Sequence, residues 1–244
     1  MPTVRLDIEY DGNGFRGWAR QPGLRTVQGE LEAALATVLR EEVQLTVAGR
    51  TDTGVHALNQ VASFETSAAV PPSLARSLNG IGPDDIAVTG AAQAPDGFDA
   101  RRDAVSRSYR YRVLARPAPS PFERGRALWW PHRFDLDALQ ACAAALPGVH
   151  DFTAFTPTQT DHVRFTRDVS AASWDLQEDV LTFRITADAF MRNMVRALVG
   201  TMLEVSSGRR PIENFTNLLL GAHRNAAGDT APPHGLYLES VAYA

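Results

Sequence analysis

Short segments in which apolar and polar residues alternate with period two recur along the chain, and they restrict its fold more than any other feature. "TVRLDIEY" opens the series, and "VQLTVA", "NQVASFET", "DIAVTGAAQ", "VSRSYRYRVLA", "SAASWDL", "VLTFRIT" and "GLYLESVAY" continue it. Alternation of this kind predicts strands with one face in a core and the other toward water. Between them the spacing turns helical. Thr26 stands as an N-cap before Val27, Leu31, Ala34, Leu35, Val38 and Leu39, which form one apolar stripe. "PPSLARSLNG" predicts a short helix, residues 136–146 another, and "ENFTNLLLG" a short last one. "AFMRNMVRALVGTMLEVSSG" predicts the longest helix, closed by a glycine with Pro211 soon after. These helices do not follow the steady βαβ rhythm of a doubly wound sheet, so the pattern predicts an α+β protein of antiparallel sheet with helices packed on one side. The chain divides near residue 104 without a linker rich in glycine, serine or proline. Halves 1–104 and 105–244 are therefore expected to share a continuous sheet or a tight interface.

Composition removes whole classes of chemistry. All 24 basic residues are arginine. Without a lysine there is no Walker A loop, no Schiff base, no kinase-type ATP lysine and no serine-lysine dyad. Cys142 is the single cysteine, which excludes an internal disulfide and argues against a cysteine-rich metal site. A reducing cytoplasm is the expected setting. No apolar run approaches the roughly 18 residues of a membrane span, and the strand pattern beginning at Thr3 leaves no room for a signal peptide. The net charge of −4 argues against a uniformly basic surface. One segment is nonetheless cationic: Arg101, Arg102, Arg107, Arg110, Arg112, Arg116, Arg124 and Arg126 face only Asp103 and Glu123. It reads either as a solvated strand face with loop charges or as a site for nucleic acid.

Few motifs carry chemistry. "GNGFRG" at residues 12–17 has the form G-x-G-x-x-G, yet Pro22-Gly23 interrupts the helix that a dinucleotide loop requires. Phe15, Arg16, Trp18 and Arg20 suit contact with a nucleic acid, or simply a packed loop. The six histidines lack paired ligand spacing, so no metal is expected, and no G-x-S-x-G is present. "AGRTDTGVHA" sets Asp52 among turn-forming residues, where it serves a turn or stands as a reactive acid. Arg50, two positions earlier, can hold the carboxylate ionised or contact a phosphate, while Gly49 and Gly54 admit close approach. On the long helix Arg192 and Arg196 fall four apart, a like-charge spacing that costs a few tenths of a kcal/mol without an anion nearby. One reading points them outward; the other pairs Arg196 with Asp52 and turns Arg192 toward a phosphate.

"YDGNGFRGWARQ", "TVQGELE", "GRTDTGVHA", "SRSYRYRV", "AFMRNMVRALVGTMLEV" and "GLYL", in this order over nearly the whole chain, resemble the TruA-type tRNA pseudouridine synthases. The resemblance implies isomerisation of uridines at positions 38–40 of the tRNA anticodon stem-loop, with no cofactor and no metal. It further implies a homodimer whose two α+β halves share a continuous antiparallel sheet around a basic active-site cleft. By the same resemblance Asp52 is the catalytic aspartate, acting at C1′, at C6 or on the C2′ proton. Tyr109 is the active-site tyrosine, Arg196 the partner of the aspartate, and Arg50 the residue that displaces the target base. Leu236 lines the base pocket, while the cationic segment and the long helix, read from the residues themselves, offer Arg107, Arg110 and Arg192 as substrate contacts. Ala19, Asp99 and Arg107 depart from the common family pattern, in which Asp99 stands within a usual "FHAR". The rival classes are an RNA-binding or chaperone protein, in which Asp52 only makes a turn, and a nucleotide-dependent oxidoreductase.

Overall fold

Alternation in "TVRLDIEY" folds as β1, Thr3–Tyr10, with Val4, Leu6 and Ile8 fully buried and Arg5, Asp7 and Glu9 on the opposite face. The computed structural model describes residues 1–160 and 163–244. These form two units, Met1–Val105 with Tyr237–Ala244, and Ser106–Leu236. Each is an α+β assembly on a mostly antiparallel sheet.

In the first unit β1 lies between β3, His56–Glu65, and β4, Ile86–Gln93, antiparallel to both. Of "VQLTVA" only β2, Thr46–Val47, pairs with β3. Helix α1, Val27–Leu39, starts where Thr26 Oγ1 accepts the Gly29 amide hydrogen at 3.2 Å. Its expected stripe is buried except for Val38, and Glu32 is buried beside it because its carboxylate takes the Leu45 amide and the Gln28 side chain. Helix α2, Leu74–Ile81, packs on β4. The closing strand β10, Leu236–Tyr243, joins this unit through β3 and runs parallel to it, with Tyr237 opposite His56. That pairing departs from the purely antiparallel expectation. A strand arriving from a distant part of the chain is not constrained by a hairpin, so either direction is open to it.

In the second unit β5, Ala104–Leu114, pairs with β9, Val180–Ala187, which pairs with β8, Thr166–Gln177, and β8 with β7, Gly148–Asp151, all antiparallel. The short β6, Leu128–Trp129, runs parallel to β5. Helices α3, Leu136–Ala144, α4, Met194–Ser206, and α5, Ile212–Leu218, bury Leu139, Leu198, Met202 and Phe215 together with Phe152, Phe155 and Phe183 of the rest of the unit. Burial also pushes the Cys142 thiol up to about 12. Helix α4 is shorter than the sequence suggests and equals α1 at 13 residues, because Asn193 takes a left-handed conformation with φ 63° and starts the helix after it. Arg192 therefore precedes the helix, and the expected like-charge pair four apart on one helix does not form. Among the described residues no helix is long and apolar enough to cross a membrane.

Leu198 is fully buried in the second unit. Leu198→Ala should cost about 2–5 kcal/mol in a urea unfolding titration, since the vacated volume is only partly refilled.

Candidate active site

Asp52 lies half-buried on the loop between β2 and β3, and neighbouring backbone fixes that loop closely. The Trp18 amide donates to the Thr51 carbonyl at 3.0 Å, and Gln60 Nε2 donates to the Gly49 carbonyl at 2.7 Å. The Tyr10 hydroxyl and Thr51 Oγ1 share a hydrogen bond of 2.7 Å. Burial pushes the Tyr10 phenol up to about 12, so it stays a neutral hydroxyl at physiological pH. Within the loop the Val55 amide donates to the Asp52 carbonyl at 3.1 Å, the turn that the sequence suggested.

The glycines of "GNGFRG" explain how these segments come so close. Gly12 lies against the Val55 peptide, where a Cβ would fall on the Val55 carbonyl. Gly17, at φ 90°, leaves only 3.0 Å between an imagined Cβ and the Thr51 carbonyl oxygen. The Gly12 amide donates to His56 Nδ1 at 3.0 Å, and the His56 ring stacks on Tyr237 with centroids 4.6 Å apart. Residues 12–14 form a single 3-10 turn and α1 starts only at Val27, so no helix N-terminus follows to hold a pyrophosphate. Phe15 and Trp18 are 2% and 1% exposed, which makes them packing residues of this loop rather than contacts for a nucleic acid. Arg50 is exposed at the loop's entry.

The second unit gathers the remaining candidates around β5. Tyr109, Tyr111 and Val113 are buried on one face, and Arg110 and Arg112 lie on the other, as the alternation predicts. The Tyr109 ring meets Phe190 edge to face at 4.9 Å. From Phe190 the chain passes through Asn193 into α4, where Arg196 Nε donates to the Ala231 carbonyl at 2.7 Å. The positive charge of Arg196 opposes the effect of burial on the Tyr111 phenol, whose pKa burial still raises well above its usual value. The Tyr111 hydroxyl donates to the Pro232 carbonyl at 2.8 Å, and Gly235 sits flat against the Tyr111 ring. Leu236, 6% exposed, follows directly. Arg196 and the segment that leads to Leu236 thus lie beside Tyr111, two residues along β5 from Tyr109.

Two other candidates hold backbone carbonyls. Arg107 Nη1 donates to the Asp188 carbonyl at 3.0 Å, and exposed Arg192 donates to the Gln159 carbonyl at 2.8 Å. The cationic segment is partly neutralised, since Arg112 grips Glu123 with two bonds and Arg116 and Arg102 pair with Asp179 and Asp103. Asp99 accepts the backbone amides of Arg101 and Arg102, each at 2.8 Å, so it makes a turn.

Sequence reasoning did not single out Tyr10, Thr51, Gln60, Phe190, Tyr111 or Asn193. Phe190, Asn193, Tyr10 and Thr51 all stood inside motifs already quoted, but that the hydroxyls of Tyr10 and Thr51 pair appears only after folding. His234, just ahead of Leu236, was also overlooked; burial and the charge of Arg196 lower its pKa.

Comparison with known proteins finds relatives of this chain. A family model described as tRNA pseudouridine synthase matches residues 8–102 and 142–244. The chain is 46% identical over 249 residues to tRNA pseudouridine synthase A of Streptomyces griseus, covering 98% of this chain and 87% of the relative. It is 45% identical to the protein of that name from Frankia casuarinae, over 100% and 90% of the two chains. With the Bacillus subtilis protein it shares 41% identity over 98% of each chain.

Close approach at Gly12 makes a strong demand on sequence. Gly12→Ala should lower stability by about 1–3 kcal/mol in thermal unfolding, because the backbone of one loop must move. Gly80→Ala, at an exposed position of α2 with nothing within 4 Å of the added carbon, should instead raise stability by about 0.4–1 kcal/mol.

Proposed function

The chain belongs to the tRNA pseudouridine synthase family, an isomerase family, and from that membership we propose that it acts on uridines at positions 38–40 of the tRNA anticodon stem-loop, with Asp52 as its catalytic carboxylate. The reaction breaks the bond from ribose C1′ to uracil N1 and forms one from C1′ to C5. The C5 proton leaves to solvent and N1 gains a proton, so nothing is oxidised or reduced. The base must leave its stack, be detached, turned and rejoined while held in place.

The observation that carries this reading is the fixation of the Asp52 loop by Gly12, Trp18, Tyr10 and Gln60. A loop that only reversed the chain direction would not need support from three separate segments. Fixation is what a reacting carboxylate requires, because orientation set before the substrate arrives need not be established during the reaction. In this proposal Asp52 labilises the C1′–N1 bond, and Arg196 pairs with it and keeps it ionised. Tyr109, its ring steadied by Phe190, offers a face to uracil and a phenol near C5. Leu236 lines the pocket for the base, and Arg50 takes the place that the base vacates in the helix. Arg107, Arg110 and Arg192 meet phosphates. A cytoplasmic homodimer is part of the same proposal.

Release of tritium from tRNA labelled at C5 of uridine tests the assignment. Asp52→Asn should reduce release by about 10²–10⁴-fold or more while tRNA binding stays near that of the wild type. An active Asp52→Asn protein would return the chain to the RNA-binding reading. Affinity for tRNA should fall steeply as salt rises, and Arg110→Ala should lessen the slope of log affinity against log salt by about one. An affinity indifferent to salt in a filter-binding titration would remove the arginines from the interface.

A further inference from the structure

We propose that Asn193 is a positioning residue that sets the plane of the Arg196 guanidinium. The inference rests on the functional reading of Arg196 given above. Asn193 is the N-cap of α4, and Arg196 is the third residue of that helix. An N-cap asparagine ordinarily accepts a backbone amide hydrogen from the first turn, an interaction that stabilises the helix. Asn193 makes no such bond. Its Oδ1 instead accepts from Arg196 Nη1 at 2.9 Å, while its own carbonyl accepts the Ala197 amide and starts the helix.

Two further local preferences are overridden at the same turn. Asn193 is held at φ 63°, a left-handed conformation that only asparagine, aspartate and glycine adopt readily. Arg196 brings a positive charge to a helix N-terminus whose first turn contains no acid, where the macrodipole disfavours cations. A forgone cap, a left-handed backbone and a misplaced cation in one four-residue stretch indicate selection for something other than helix stability.

The geometry gives the reason. Arg196 Nε donates to the Ala231 carbonyl at 2.7 Å, and the Arg196 carbonyl accepts the Ala231 amide at 3.1 Å. With Nη1 held by Asn193, two of the five N–H groups are fixed from different directions. Two such anchors determine the orientation of a rigid planar group, and so determine where its other three N–H groups aim. Nε alone would leave the plane free to rock about its bond to Ala231.

Tritium release with Asn193→Gly, Asn193→Asp and Arg196→Ala tests the proposal. Glycine keeps the left-handed backbone and removes the anchor; aspartate keeps an acceptor oxygen. Asn193→Gly should lower kcat by about 10–100-fold, with KM for tRNA within about twofold and an unchanged melting temperature. Asn193→Asp should recover most of that loss. Wild-type kcat in Asn193→Gly beside an inactive Arg196→Ala would overturn the role of Asn193 alone. Equal loss in both Asn193 variants, with melting lowered in step, would show a structural cap and overturn it as well. An active Arg196→Ala would reject the functional reading of Arg196 and this proposal with it.

Discussion

Backbone resting on backbone is the constraint on which the acid loop depends. Gly12 meets the Val55 peptide and Gly17 meets the Thr51 peptide, so the two loops touch where no side chain could intervene. Because they touch, the Gly12 amide reaches His56 Nδ1 and the Trp18 amide reaches the Thr51 carbonyl. Asp11 Oδ1 also lies 3.3 Å from His56 Nδ1, but of the two neighbours only the Gly12 amide has a hydrogen to give. The bond from the Gly12 amide joins the imidazole to the glycine loop. The same imidazole stacks on Tyr237, which ties the closing strand to the first loop of the chain through a single ring.

The entrance to α4 shows the same economy in the second unit. Left-handed Asn193 ends the run from Phe190 and starts the helix, so the segment facing Tyr109 and the segment bearing Arg196 are set by one residue's backbone. Gly200, one turn further along, lets the Asp229 carbonyl lie directly on the helix, and Thr201 Oγ1 accepts the Gly228 amide at 3.0 Å. Together with the bonds between Arg196 and Ala231, these contacts lay residues 228–231 along α4 and deliver the chain to Leu236. Packing of this kind transmits a shift at the helix to the loop with little loss, because close-packed segments leave no slack to absorb it.

Period-two alternation made much of this fold legible. The faces of β1 and β5, the Thr26 cap and the α1 stripe follow from residue spacing, since each depends on neighbours within a turn or a strand. What spacing could not reveal is non-local. The parallel entry of β10 beside β3 depends on strands far apart in sequence, and the pairing of Tyr10 with Thr51 spans 41 residues. At the candidate site, motifs located Asp52, Tyr109 and Arg196, but their supports were hidden. Asn193 stands inside the helix that spacing predicts, and its place at the true helix start, with Oδ1 on a guanidinium, appears only in the folded chain. The glycines were visible without their partners, because a sequence shows that a close approach is allowed without showing what approaches.

Arginine without lysine takes on a physical meaning here. An ammonium can hold a carbonyl as a point charge, whereas a guanidinium held at one N–H still presents others in a fixed fork. Arg107 donates to the Asp188 carbonyl, Arg192 to that of Gln159 and Arg196 to that of Ala231. Each such bond restrains the side chain and leaves its charge intact, since a carbonyl is neutral. Arg102, Arg112 and Arg116 also donate to carbonyls, those of Gly97, Arg126 and Ala118, but they pair with acids as well, and those pairs cancel charge. A count of arginines in a segment therefore overstates its pull on phosphate wherever acids pair with them. Carbonyl-held guanidinia meet an anion already oriented, which reduces the ordering cost that a long, mobile cation would otherwise incur on binding.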